Sequence, residues 1–106
     1  MQKSKEVDEC PIVSAIRELG GEWNLIIIRY LMEKSMGFNE ILRTAKGISS
    51  KTLSNNLKNL TAKGIVHREV ISTQPFSVLY SLTEKGKALS GLLDKLGQWG
   101  NEYVME

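Results

Sequence analysis

Apolar residues recur at helical spacing in five stretches of this chain and alternate in one. Behind Pro11, which suits a first helical position, Ile12, Ala15, Ile16 and Leu19 lie three and four apart until Gly20 and Gly21 interrupt them. From about residue 23 to 34, Trp23, Ile26, Ile27, Tyr30 and Leu31 form one stripe, and Leu25, Ile28 and Met32 make the opposite side apolar too. A helix apolar nearly all round is a central one. Phe38, Ile41, Leu42 and Ala45 mark a short third helix, with Asn39 or a neighbour as its cap and Gly47 as its end. Ser49 then suits an N-cap for a fourth helix, in which Leu53, Leu57 and Leu60 share one face before Gly64 closes it.

From Ile65 the period shortens. IVHREVI is β-branched and roughly alternating, STQPFS is turn-like and VLYSL is a second short strand, so residues 65–82 predict an antiparallel hairpin with a longish tip. Thr83 suits a cap for a last helix, apolar at Leu89, Leu92, Leu93, Leu96, Trp99 and Tyr103. At 1.5 Å per residue its roughly 20 residues span about 30 Å. That is long for so small a domain, so part of the stripe is expected to pack on something other than its own core. Two helices joined by a tight turn and then a two-stranded hairpin give the winged helix-turn-helix order, a mainly α (α+β) fold. At 106 residues the chain is read as one domain.

The fourth helix raises the functional question. Opposite its leucines, at 100° per residue, stand Lys51, Asn55, Lys58 and Ala62, flanked by Thr52, Ser54 and Asn59. No acidic residue occurs from Arg43 to Arg68. A face made for solvent interleaves both signs as i,i+4 pairs. This one combines lysines with short amides and hydroxyls, the groups that neutralise phosphates and bond base edges. A helix presenting them after a tight turn fits the major groove, with Asn55 as first choice for a base contact. The alternative is a solvated face that lacks acids. Arg68, at the base of the hairpin, is either a phosphate contact or a solvated strand charge.

Charge agrees with that division. The net +2 is unevenly spread: six basic residues face two acidic ones between Met36 and Leu82, while the flanking segments are each slightly acidic. An anionic partner therefore meets the middle of the chain. LIIIRYLM is far short of the roughly 20 residues that cross a bilayer, and Arg29 interrupts it. MQKSKEVDE lacks the apolar core of a signal peptide, so a cytoplasmic location and a flexible arm over residues 1–10 are expected. His67, the single histidine, lies in a strand, and no grouping of His, Cys and carboxylates suggests a catalytic triad, a metal site or a cofactor.

The segments CPI, GGEWNLIIIRYL, GFNEILR, GISSKTLSNNLKNLTAKGIVHREV, P-x-x-VLYSLTEKG and LGQWG resemble, in this order and at these separations, the HxlR-type winged-helix transcription regulators, a branch near the MarR regulators. The likeness runs over residues 10–100. It implies a homodimer held by its first and last helices, through Ile12, Ile16, Leu92, Leu96, Trp99 and Tyr103. It further implies a pseudo-palindromic operator in double-stranded DNA, met by a recognition helix (50–62) and a wing (71–78). The candidate DNA contacts are Ser49, Ser50, Lys51, Thr52, Ser54, Asn55, Lys58, Arg68, Thr73, Gln74 and Ser77. One departure stands out: the family usually has an arginine or lysine in a pattern like P-x-R-V near the wing tip, and here the residues are Pro75-Phe76-Ser77-Val78. The phosphate contact then passes to Thr73, Gln74 or backbone amides, and Phe76 packs or meets a ligand.

Cys10, the single cysteine, rules out an intrachain disulfide. Placed just before Pro11, it faces the positive end of a helix dipole, which favours thiolate. The resemblance implies a sensor of oxidants or electrophiles at this place in some relatives; the alternative is a small buried residue or a plain cap. Without a reactive cysteine, a small-molecule effector would sit between the dimer helices and the DNA-binding part. The rival to DNA binding is a winged-helix adaptor for proteins, since fold does not fix function.

Overall fold

A computed structural model describes residues 10–105, so the expected arm lies outside the described residues except for Cys10. Six helices and one hairpin follow in the order α1 (Pro11–Leu19), α2 (Glu22–Glu33), α3 (Phe38–Thr44), α4 (Ser50–Ala62), β1 (Val66–Thr73), β2 (Phe76–Leu82), α5 (Glu84–Lys87) and α6 (Ser90–Tyr103). This is the winged helix-turn-helix order expected from the periodicity.

The core lies where α2, α3, α4 and the base of the hairpin meet. Ile27, Ile28 and Leu31 from α2 are buried against Ile41 and the three leucines of α4. Ile65 and Val66 enter from the start of β1, and Tyr80 and Leu82 from the end of β2. Helix α2 is thus central, as an all-round apolar helix must be. Its charged side chains lie at the rim, where Arg29 pairs with Glu33 one turn on at 2.9 Å.

The ends of the helices obey local chemistry. Ser49 caps α4, its hydroxyl accepting from the Thr52 amide at 3.1 Å. Helix α3 begins differently from the expectation at Asn39: its N-cap is Gly37, in extended backbone, with no side-chain cap. The Gly37 carbonyl already accepts from the Ile41 amide at 3.1 Å, so the first turn closes without a polar side chain. Gly47 ends the α3 turn with a φ of 96°, which L side chains adopt at a cost.

Two expectations need correction. The hairpin tip is short: Thr73 pairs with Phe76, and only Gln74 and Pro75 stand outside the ladder. Thr73 and Phe76 both favour strands, while Pro75 lacks an amide and must sit in the turn. The Ser72 hydroxyl accepts from the Gln74 amide at 3.1 Å and holds that turn. A bulge at Ile71 lies between the Val70–Val78 and Ser72–Ser77 pairs. The last helix, in turn, is two helices. Thr83 caps α5 as expected, accepting from the Gly86 amide at 3.2 Å, but the chain turns at residues 88–89 before α6 begins. Gly86 lets α5 pack closely: a Cβ there would meet the Ile65 carbonyl oxygen at 2.5 Å, so α5 lies hard against the start of the hairpin. Helix α6 begins afresh at Ser90, and its 14 residues span about 21 Å rather than 30.

Helices α1 and α6 complete the molecule with little share in the core. Only Leu19 of α1 is buried, and no residue of α6 is. Leu89 and Leu93 pack partly on the body, while Leu92, Leu96, Trp99 and Tyr103 point away from it. The radius of gyration, 15.5 Å, exceeds the about 13 Å of a compact domain of this length.

Candidate nucleic-acid interface

The leucines of α4 decide which of its residues face out. With Leu53, Leu57 and Leu60 sealed in the core, Ser50, Lys51, Asn55 and Lys58 are exposed, and Thr52 and Ser54 stand at the edges. Ser49 is exposed but its side chain is occupied: besides accepting from the Thr52 amide, its hydroxyl donates to the Thr52 hydroxyl at 3.0 Å. No carboxylate among the described residues pairs with Lys51, Lys58 or Arg68; the described ion pairs are Arg29–Glu33, Lys34–Glu40 and Lys85–Glu18. Lys34 also satisfies Glu40, at 2.6 Å, the acid nearest in sequence to the basic stretch on its N-terminal side. The α4 face is therefore positive and unscreened by neighbours.

Arg68 joins that face to the hairpin. It pairs across the ladder with Tyr80, and both line an open groove with Ser54, Lys58 and Thr61 of α4. On the other side of Arg68 a second groove runs between the first turn of α3 and the wing, past Phe38, Asn39, Phe76, Ser77 and Tyr80. Ser54, Lys58, Arg68 and Ser77 thus belong to one continuous strip. Thr73 and Gln74 sit at the exposed wing tip. The candidates not brought together with these are Cys10 and the α1 and α6 residues, which lie on separate elements.

Cys10 is the N-cap residue of α1; it is exposed, and its side chain makes no capping hydrogen bond. It thus stands at the cap position with a thiol neither buried in this chain nor bonded to the helix start. His67 is an exposed strand residue paired with Ser81.

Two connections escaped the sequence. Asn24, buried in α2, donates through Nδ2 to the Leu19 carbonyl at 2.9 Å and to Asn59 Oδ1 at 3.0 Å, tying the end of α1 to the side of α4. Asn59, a flanking member of the polar face, is thereby committed to the scaffold. Lys63, counted among the basic residues of the middle segment, donates to the Glu18 carbonyl at 2.5 Å, and Lys85 donates to the Lys63 carbonyl at 2.9 Å and to Glu18 Oε2 at 2.7 Å. Its partner Lys85, by hydrogen bond first and charge second, holds the Glu18 carboxyl below its ordinary pKa. The one available signal was Asn24 itself, an amide in the most apolar helix, which demands a buried partner.

Comparison with known proteins agrees with this geometry. The family model described as HxlR-like helix-turn-helix matches residues 18–106. The HTH-type transcriptional regulator YodB of Bacillus subtilis is 40% identical over 95 residues, covering 89% of this chain and 85% of YodB. The structure of its reduced form superposes with a TM-score of 0.78 at 39% identity, over 91% of this chain and 95% of that one. The quinone-bound form of YodB gives 0.75 at 38% identity, over 90% and 100%. The redox regulator HypR in its oxidised form gives 0.81 at 35% identity, over 88% and 96%. With a positive, acid-free helix after a tight turn, a wing beside it and these relatives, the chain belongs to the HxlR-like helix-turn-helix family and is a DNA-binding transcriptional regulator.

Proposed function

We propose that the protein acts as a homodimer on a pseudo-palindromic operator, its two α4 helices entering successive major grooves and its wings lying beside them. The observation that carries this reading is the continuous strip from Lys51, Asn55 and Lys58 on α4 to Arg68 on the hairpin, free of carboxylate partners among the described residues. Ser50, Lys51, Thr52, Ser54 and Asn55 occupy the first half of α4, where a recognition helix meets base edges; Lys58 and Arg68 meet phosphates. Ser49 contributes through the helix start it fixes, and Thr73, Gln74 and Ser77 through the wing.

The apolar faces of α1 and α6 support the dimer. Ile12 is 70% exposed, Trp99 57% and Tyr103 66%, and the Trp99 and Tyr103 rings meet at a tilt of 42° with centroids 5.6 Å apart. Such a face beside an otherwise complete core marks a contact with another chain, and a palindromic site calls for a second copy. The whole chain, residues 1–106, is read as one domain working in the cytoplasm, where the DNA is.

Cys10 is the candidate sensor of oxidants or electrophiles. In support, it is exposed on α1, a dimer helix, whose far end is bonded to α4 through Asn24 and Lys63. Diamide would take two electrons and two protons from a pair of Cys10 thiols to leave one intersubunit disulfide; a quinone would add one thiolate to its ring as a thioether. Either change displaces α1 and, through its bonded end, α4.

Salt dependence tests the reading. Operator affinity should fall steeply with salt, and Lys58→Ala should reduce the slope of log K against log salt by about one unit. A purified dimer that ignores duplex DNA at low salt would favour the adaptor reading. For the sensor, Cys10→Ser should bind the operator as the wild type does and lose the response to diamide; an unchanged response would remove Cys10 from the account.

A further inference from the structure

The hairpin's inner face follows the ladder outward from the core. Register puts the pairs Val66–Leu82, Arg68–Tyr80, Val70–Val78 and Thr73–Phe76 on that one side. Leu82 and Tyr80 are buried, Val78 is half-buried, and beyond the body the stripe continues into solvent, with Val70 44% and Phe76 65% exposed. From Val70 to Val78 the chain carries no charge of either sign. At about 3.4 Å per residue, Phe76 stands about 14 Å beyond Tyr80 along the strand. The ladder is paired to its end, so this is an ordered projection with an aromatic ring at its tip.

What it projects toward is fixed by continuity. Phe76 lines the same groove as Arg68 and Ser77, and Arg68 lines the next groove with Ser54 and Lys58 of α4. No residue of α1 or α6 lines either groove. The apolar stripe is therefore an extension of the DNA-facing strip and not of the self-association faces.

We infer that the wing is an apolar reader of the minor groove, in which Phe76 is pressed against base edges and deoxyriboses as a wedge. This rests on the proposed placement of α4 in the adjacent major groove. A tip without charge forms no ion pair with phosphates but can enter the roughly 6 Å wide minor groove, and apolar side chains there loosen base stacking. The energetic signature differs from that of a cationic wing. Contact by Phe76 releases no counterion, so it adds affinity without adding salt dependence. It also favours flanks with easily unstacked TA or CA/TG steps, at positions α4 does not reach.

The test uses full-length protein and duplexes that the wild type selects from a random pool. Phe76→Ala should bind them about tenfold more weakly, the scale of one aromatic contact with nucleic acid, with the slope of log K against log salt unchanged. Phe76→Leu should recover part of the loss. With 2-aminopurine moved through the flanks, wild type should raise its fluorescence at one step in each half-site and Phe76→Ala at none. An exposed tip residue leaves the core intact, and circular dichroism of both variants checks this. If the wild type binds and Phe76→Ala binds equally well, the inference is overturned while operator binding stands. If the loss accompanies dissociation of the dimer in sedimentation, the ring serves self-association and the inference is again overturned. A wild type indifferent to duplex DNA overturns both.

Discussion

Helices α4 and α6 carry similar apolar spacing and meet different fates. In α4, Leu53, Leu57 and Leu60 are sealed in the core, and the opposite face is left positive. In α6, Leu92, Leu96, Trp99 and Tyr103 recur three and four apart and each remains more than half exposed. Periodicity therefore says that a face needs cover and is silent on whose residues supply it. The cover for α4 is α2 and the hairpin base; for α6, on our reading, it is α6 and α1 of a second copy. On that same reading function divides too, with one helix held in the body to present its polar side and the other setting two such helices apart.

The largest expected effect comes from attacking the sealed face. Leu57→Ala opens a cavity in the body and should destabilise the fold by about 2–5 kcal/mol in urea unfolding, taking DNA binding with it. If it proves neutral, the core is not where we place it. Next comes the open face. Leu96→Asp puts a charge into the proposed interface while touching no core residue, so dimer dissociation should rise by about thirtyfold, near 2 kcal/mol, in sedimentation equilibrium. The monomer should keep its helical circular dichroism, and operator affinity should drop because half of the site is then held alone. An undisturbed dimer would show that α6 meets something else.

Much of this contrast was legible in residue spacing, and the limits are physical. Ser49, the three leucines and Gly64 specify α4 by themselves, because capping and helical periodicity are local. The break before α6 was not legible, since the turn at residues 88–89 leaves the apolar spacing from Leu89 to Tyr103 uninterrupted. The full length of the wing strands is not legible, because STQPFS has turn composition and only the pairing of Thr73 with Phe76 shows that the ladder outlasts the polar run. Asn59 was grouped with the polar face because its partner, Asn24, stands 35 residues earlier on another helix. Among the candidate contacts, Lys58, Ser54 and Arg68 are gathered round one groove, an outcome that needed both the helix phase and the strand register.

The smallest effect concerns the ion pair that ties the end of α1 to α5. Because Lys85 lowers the Glu18 pKa, the pair's contribution is complete above the ordinary value of 4.5 and is lost as pH falls through the lower folded value. Glu18→Gln should therefore narrow the difference in melting temperature between neutral and strongly acidic pH, slightly, since the pair is exposed and screened by salt. An unaltered pH profile would mean that the end of α1 is held by Asn24 and the Lys63 bond to the Glu18 carbonyl alone.

The central claim is that two α4 helices, set apart by α1 and α6, read one DNA site. Selection of duplexes from a random pool followed by hydroxyl-radical footprinting tests it most directly. The account predicts an inverted repeat with two protected half-sites whose centres lie about 10 base pairs or a multiple apart. Protection of a single, asymmetric half-site by the wild-type dimer would contradict it.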